Sequence, residues 1–180
     1  MEAVARINEA VPSASVSGGD NREVAEQSGK IVVAVPFEAV AATIPPIQSA
    51  LDGKLVISVV AALTWEGGRP HPVVVEAGSV AQLIQGLLPE ARVTSAFHTL
   101  SAEILGQPSQ TLDEDTIVCG DDREARHATM ELARKIEGIR PISGGRLENS
   151  VYPEILVGLL AAVNRIHKVH AGVRFTGLKS

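Results

Sequence analysis

A few histidines and carboxylates are the residues of this chain whose types and spacing could do chemistry. His98 stands at the end of an apolar run, Val93 to Phe97. Open parallel sheets bind their ligands beyond the carboxyl ends of their strands, so that place makes His98 a candidate ligand-binding residue. The alternative is a histidine that merely bonds a loop carbonyl. His167 and His170 are three apart, a spacing that suits a metal, but Lys168 lies between them and no acid is near. A metal site is therefore not expected. His71 lies in a Pro/Gly-rich loop and His127 on a helix, so both are expected to face water. Asp121 and Asp122 could act as an acid/base pair or bind magnesium. They also directly precede a helical pattern, where carboxylates accept free N–H groups, and capping is the expected role. Asp113, Glu114 and Asp115 form a short acidic run that is expected to face solvent, because an unpaired buried carboxylate is costly. Cys119 is the one cysteine of the chain. It excludes an internal disulfide and a cysteine-rich zinc site, and inside an apolar strand it reads as a packed, inert thiol.

The elements that must position these residues alternate between short Val/Ile runs and helical patterns, the signature of an α/β fold. Strands are expected at Ile31 to Val35, Leu55 to Val60, Val93 to Phe97, Thr116 to Cys119 and Ile139 to Ser143, with a shorter one at Ala14 to Val16. Helices are expected over residues 2–10, from Asp20 or Asn21 to Gln27, after Pro36 with a break at Pro45-Pro46, over Ser79 to Leu88, from Arg123 to Glu137, and from Leu147 to about His167. Gly67-Gly68, Pro70 and Pro72 mark a loop. The run Ile155 to Val163 leaves the last helix without a polar face, so it is expected to be buried on most sides. It would be a core helix, or else a dimer interface or cofactor wall.

Composition narrows the function classes. Of the 180 residues, 45% are apolar, enough for a packed core. Sixteen Lys and Arg against 21 Asp and Glu give a net charge of −5, and aromatics are 3%. Both argue against nucleic acid as the main partner. No apolar stretch approaches the roughly 20 residues of a membrane span, and MEAVARINEA lacks a signal core. A cytoplasmic location is expected. The sequence contains no G-x-G-x-x-G turn, Walker loop, G-x-S-x-G elbow or H-E-x-x-H. The residues alone thus give a soluble cytoplasmic α/β domain.

Several stretches, in matching order and spacing, carry a resemblance: Ile31-Val32-Val33-Ala34-Val35-Pro36-Phe37; Ser95-Ala96-Phe97-His98-Thr99-Leu100-Ser101-Ala102; Val118-Cys119-Gly120-Asp121-Asp122; Gly145-Arg146-Leu147-Glu148-Asn149-Ser150; and the tail from Asn164-Arg165 through Lys168-Val169-His170-Ala171-Gly172-Val173-Arg174-Phe175-Thr176. In these the chain resembles the NADPH-dependent F-420 reductases, or F-420:NADP oxidoreductases. F-420 is an 8-hydroxy-5-deazaflavin hydride carrier. The resemblance implies a Rossmann-like, doubly wound, mainly parallel sheet followed by a C-terminal helical segment. Residues 1–145 would be the NADP-binding part, and 146–180 a helix and tail for dimerisation and deazaflavin binding. It implies NADP and coenzyme F-420 as cofactors, a homodimer, and direct hydride transfer between stacked rings with no catalytic side chain. Val35 and Pro36 would line the NADP ribose and nicotinamide side, and Ala61 would touch the nicotinamide. Ala102 would reach the carboxamide through its backbone, and His98 and Leu100 would sit against the deazaflavin. Ala171 and Gly172 would hold its far edge.

The chain departs from the pattern in places. Ala39 stands where a histidine is common. Val60-Ala61-Ala62 replaces an Asn-Pro or Pro-Leu. Glu154-Ile155-Leu156-Val157 replaces E-x-L-T, with loss of a hydroxyl. The family's opening strand, Gly-rich turn, helix and second strand have no counterpart here, so the edge of Ile31 to Val35 is expected to be exposed and the chain to dimerise or aggregate. A non-catalytic or partner-dependent cofactor-binding and dimerisation module is the alternative implied.

Overall fold

The protein is described by a computed structural model that covers residues 2–13, 15–107 and 111–178. Five strands form one sheet in the order β1-β2-β5-β6-β7: β1 (Lys30–Val33), β2 (Leu55–Ser58), β5 (Arg92–Ser95), β6 (Glu114–Gly120) and β7 (Ile139–Gly145). β1, β2 and β5 are parallel, and β6 pairs antiparallel with β5 but parallel with β7. The sheet is thus mainly parallel and Rossmann-like, as the sequence leads one to expect. A separate antiparallel hairpin, β3 (Leu63–Glu66) and β4 (Arg69–Pro72), stands where only a loop is expected. Gly67 and Gly68 both have positive φ, 55° and 73°, and make its tight turn.

The helices are α1 (Glu2–Ala10), α2 (Asn21–Gln27), α3 (Val40–Thr43), α4 (Gln48–Leu51), α5 (Val80–Leu87), α6 (Ala102–Leu105), α7 (Arg123–Ala133) and α8 (Val151–His167), with 3₁₀ turns at Phe37–Ala39, Pro45–Ile47 and Leu147–Ser150. The Pro45-Pro46 break is one of these turns, since a second proline removes another helical donor. Side chains cap α2, α5 and α7, two of them where caps are expected. Asp20 accepts from the N–H groups of Arg22 and Glu23 at 2.9 Å, closing a capping box with Glu23. Ser79 accepts from Gln82 at 3.1 Å, and Asp122 from Ala125 at 2.6 Å. Asp121 does not cap α7. It accepts from the Leu147 N–H at 3.2 Å and pairs with Arg146. Ala14 of the expected strand at Ala14 to Val16 lies outside the described residues, and Ser15 and Val16 are not in a strand.

Successive residues of β2 point to opposite faces, and both faces are covered. Val56 joins Val40, Ile44, Leu51, Val80 and Ile84 on one side. Leu55 and Ile57 join Ala96, Val118 and Ala125 on the other. β1 is an edge strand on which Val32 is half exposed. α8 departs from expectation: Tyr152, Ile155, Leu159 and Ile166 are 50–69% exposed, so its outer face is apolar and uncovered. Among the described residues no helix is long and apolar enough to cross a membrane.

Candidate functional site

The carboxyl ends of β2 and β5 lie side by side and deliver their loops to one place. The loop after β2 carries Val59, Val60 and Ala61, and the loop after β5 carries Phe97, His98 and Leu100. Between them opens a largely apolar cavity of about 530 Å³, walled further by Ala102 and Leu105 of α6, Leu132 of α7 and Val157 of α8. Four residues nominated from the sequence, Ala61, His98, Leu100 and Ala102, thus meet in one cavity. Its volume is in the range of small-molecule and cofactor sites.

The turn that delivers His98 is built with strain. Phe97 has φ of 68°, a left-handed conformation unusual for an aromatic residue. It is held there by its N–H, which donates to Thr116 Oγ1 at 2.8 Å, while the Thr99 hydroxyl donates to the Asp115 carbonyl at 2.8 Å. His98 itself is buried, with Nε2 3.2 Å from the Val60 carbonyl. A carbonyl can only accept, so Nε2 carries the proton and Nδ1 is left as an acceptor. Nδ1 is buried and has no partner among the described residues. Burial pushes the imidazole pKa down to about 4, against a weaker opposing pull from the Val60 bond, so the ring is neutral at pH 7. His98 thus bonds a loop carbonyl, and the residue lines the cavity.

The other nominated residues lie elsewhere. Val35 and Pro36 follow β1 at the same edge of the sheet, one strand beyond the cavity. Val35 is half-buried against the apolar core and lines a separate depression of about 160 Å³, and Pro36 is exposed. Ala171 and Gly172 sit in the tail after α8. The Ala171 N–H donates to Asn164 Oδ1 at 2.7 Å, and Gly172 lies over Glu114.

Two carboxylates that the sequence assigned to solvent, Glu114 and Asp115, are buried instead. Asp115 is satisfied: Arg140 grips it through two bonds of 2.8 Å, and the Phe175 N–H donates to it at 2.6 Å. The Arg140 bond, ahead of the cost of burial, holds its carboxyl below the usual range. Its own N–H donates to the Val173 carbonyl at 2.7 Å, so the tail runs beside the start of β6. An unpaired buried carboxylate is costly, and the partner that satisfies this one lies 25 residues away, a distance no local pattern reveals.

Glu154 of α8 is likewise buried. It accepts the Val80 and Ala81 N–H groups at 2.8 and 3.1 Å, at the positive end of α5. Burial outweighs these bonds and pushes its pKa up to about 7. A single acid in an otherwise apolar helix was the signal for it. Cys119 is fully buried and burial raises its pKa, the behaviour of an inert thiol. Among the described residues no cluster of His, Cys, Asp and Glu could hold a metal.

A mainly parallel, doubly covered sheet with a cavity at the carboxyl ends of its strands defines an α/β cofactor- or ligand-binding protein. A family described as "NADP oxidoreductase coenzyme F420-dependent" matches residues 2–62. The chain is 33% identical over 169 residues to the F420-dependent NADP reductase of Methanocaldococcus jannaschii, covering 92% of this chain and 76% of that protein. It is 32% identical over 168 residues to the enzyme of the same name from Methanothermobacter marburgensis, covering 91% and 75%. The solved structure of a protein proposed to be an F420-dependent NADP reductase, from Arthrobacter sp. FB24, superposes with a TM-score of 0.74 at 21% identity, over 83% of this chain and 69% of that one. An imine reductase of Bacillus cereus BAG3X2 shares the fold with a TM-score of 0.58 at 12% identity, over 92% and 53%. The chain belongs to the coenzyme F-420-dependent NADP oxidoreductase family.

Proposed function

We propose that this chain is an NADP-dependent oxidoreductase that passes a hydride between NADPH and coenzyme F-420. The observation that carries this reading is the convergence of Ala61, His98, Leu100 and Ala102 on one largely apolar cavity. That cavity fits a flat ring system: its walls are largely apolar, and the turn after β5 holds His98 and Leu100 against it. His98 and Leu100 would lie against the deazaflavin, Ala61 against the nicotinamide, and the Ala102 backbone would meet the carboxamide. Val35 and Pro36, one strand away, would line the ribose side of NADP. Ala171 and Gly172 would hold the far edge of the deazaflavin.

When bound, NADPH would supply a hydride and coenzyme F-420 would take it up together with one proton from solvent. The side chains here orient the rings and exclude water, and no acid or base among them is required. His98 is neutral and does not act as an acid. Val157 lines the cavity at the position where E-x-L-T would place a hydroxyl, so this chain grips that edge with one bond fewer.

The finer parts of the reading are proposals too. The rings stack directly, residues 1–145 and 146–180 divide the nucleotide side from the deazaflavin side, and the location is cytoplasmic. The exposed apolar face of α8, with Tyr152, Ile155 and Leu159, supports a homodimer joined through that helix.

The test is to incubate the chain with NADPH and F-420 and follow reduction of the deazaflavin. Turnover is the expected result. Binding of F-420 without consumption of NADPH would replace this reading with a cofactor-binding module. Consumption of NADPH with another acceptor but not with F-420 would keep the oxidoreductase and change its partner.

A further inference from the structure

Among the described residues, Lys135 is the one charged residue that lines the cavity beyond β2 and β5, since His98, also there, is neutral at pH 7. The turn that carries it continues α7. The Lys135 N–H donates to the Leu132 carbonyl at 3.2 Å and the Ile136 N–H to the Ala133 carbonyl at 3.0 Å, so the chain keeps winding past Ala133. Positions three and four apart then share a face, and Leu132, Lys135 and Ile136 all line the cavity. Lys135 is exposed, so its apolar stem belongs to the wall while its ammonium stays at the mouth, in reach of water.

Nothing among the described residues neutralises this cation. The acid one turn earlier, Glu131, would be its ordinary partner. Arg134 holds Glu131 instead, and His127 lies 3.6 Å from the same carboxylate. Glu103 of α6 faces His170 at 3.7 Å. No Asp or Glu lines the cavity among the described residues. The chain as a whole carries a net charge of −5, so it repels an anion at long range, and a local cation is what lets an anionic ligand settle against these apolar walls. Beside an apolar, poorly hydrated surface an ammonium attracts an oxyanion more strongly than it does in open water.

We infer that Lys135 is an anion-binding residue of this cavity, whose ammonium meets a negatively charged oxygen of the deazaflavin cofactor. This rests on the reading that the cavity holds the deazaflavin. Coenzyme F-420 offers two such oxygens, its ring hydroxyl after loss of the proton and the phosphate of its side chain. Lysine presents a point charge on a flexible stem, so it recognises charge rather than one fixed shape. Lys135 thereby favours the charged cofactor over a neutral ring of similar size.

The test is fluorescence titration at a pH where the ring hydroxyl is ionised. The ligands are F-420, 8-hydroxy-5-deazariboflavin, which keeps the hydroxyl and lacks the phosphate, and 5-deazariboflavin, which lacks both. The wild-type chain, Lys135→Met and Lys135→Arg are compared at low and high salt, with NADPH binding and Tm recorded alongside. Lys135→Met keeps an apolar stem and is expected to weaken F-420 binding at least about fivefold at low salt, and less at high salt. Lys135→Arg keeps the charge and is expected to retain most of the affinity. Binding of 5-deazariboflavin and of NADPH should stay within about twofold in both variants, with Tm unchanged. A loss shared by 8-hydroxy-5-deazariboflavin supports the inference and assigns the ring oxygen, and a loss confined to F-420 supports it and assigns the phosphate. If Lys135→Met binds F-420 as the wild type does, or weakens all three rings equally, the anion-binding role is overturned while the oxidoreductase reading stands. If no deazaflavin binds the wild type, that reading fails and takes this inference with it.

Discussion

The two halves of the sheet are stabilised by different means. Around β1 and β2 the buried residues through Ile57 are all apolar: Val33, Val40, Ile44, Leu51 and Val56 fill the space by volume alone. Among the described residues, every buried polar or charged one lies from Ser58 onward. They include Thr94, Ser95, His98, Glu114, Asp115, Thr129, Ser150 and Glu154. Most of these are paired across elements, as in Thr94–Thr129 at 2.9 Å and Ser95–Ser150 at 2.7 Å. The apolar half asks only for hydrophobic residues of the right size. The polar half demands particular partners, which fixes the turn at Phe97, the tail and the cavity between them. Among the described residues, the buried side-chain atoms without a partner, His98 Nδ1 and Glu114 Oε2, lie in that half.

The largest effect should come from breaking the polar half at its most buried ion pair. Arg140→Ala leaves Asp115 buried without its main cation and is expected to lower the denaturation midpoint clearly, with residues 171–178 becoming protease-sensitive. The Asp115 carboxyl is held below its ordinary value of 3.8, so its stabilisation is complete above that value and lost as pH falls through the lower folded one. Arg140→Ala should therefore also shrink the acid-induced loss of stability.

In the apolar half the corresponding break is Leu51→Ala, at a fully buried site. A cost of about 2–5 kcal/mol is expected, independent of pH, because only packing is lost. A pH-dependent cost there would contradict the division between the halves.

Two further titrating groups of the polar half, Glu154 and His98, sharpen the contrast with opposite signs. Glu154 is raised from 4.5 to about 7, so its contribution is present below 4.5 and lost as pH rises toward 7. Glu154→Gln should flatten the fall in stability over that range. His98 is lowered from 6.5 to about 4, so its contribution is present above 6.5 and lost as pH falls toward 4. His98→Gln should remove that second slope. Denaturation midpoints across pH 4 to 8 check both. The smallest effect is expected from Thr94→Val, which leaves Thr129 its bond to the Ala125 carbonyl and should cost about 1 kcal/mol.

The apolar half was almost fully legible in the sequence, because β-branched runs and helix caps are local signals. Ile31 to Val35 and Asp20 declared their roles within a few residues. The position of His98 just beyond a strand was legible too. Glu114, Asp115 and Glu154 were not. The partners of Asp115 and Glu154 lie 25 to 74 residues away, Glu114 Oε2 has none among the described residues, and at sequence level the run Asp113-Glu114-Asp115 reads as solvated surface. The Gly67-Gly68 turn was seen as a loop because Pro70 and Pro72 hide a strand. These prolines are tolerated in β4 because the hairpin has two strands and both are edges. The strain at Phe97 has no sequence signature, since only the Thr116 hydroxyl on a neighbouring strand reveals it.

The most direct test of the account is whether the cavity beyond β2 and β5 is the deazaflavin site. F-420 fluorescence is titrated with the wild-type chain and with Ala61→Phe, which fills the cavity from a loop and should leave Tm unchanged. Saturable binding by the wild type, weakened at least about tenfold by Ala61→Phe, is the predicted result. Equal binding by both chains would place the cofactor elsewhere and contradict the account.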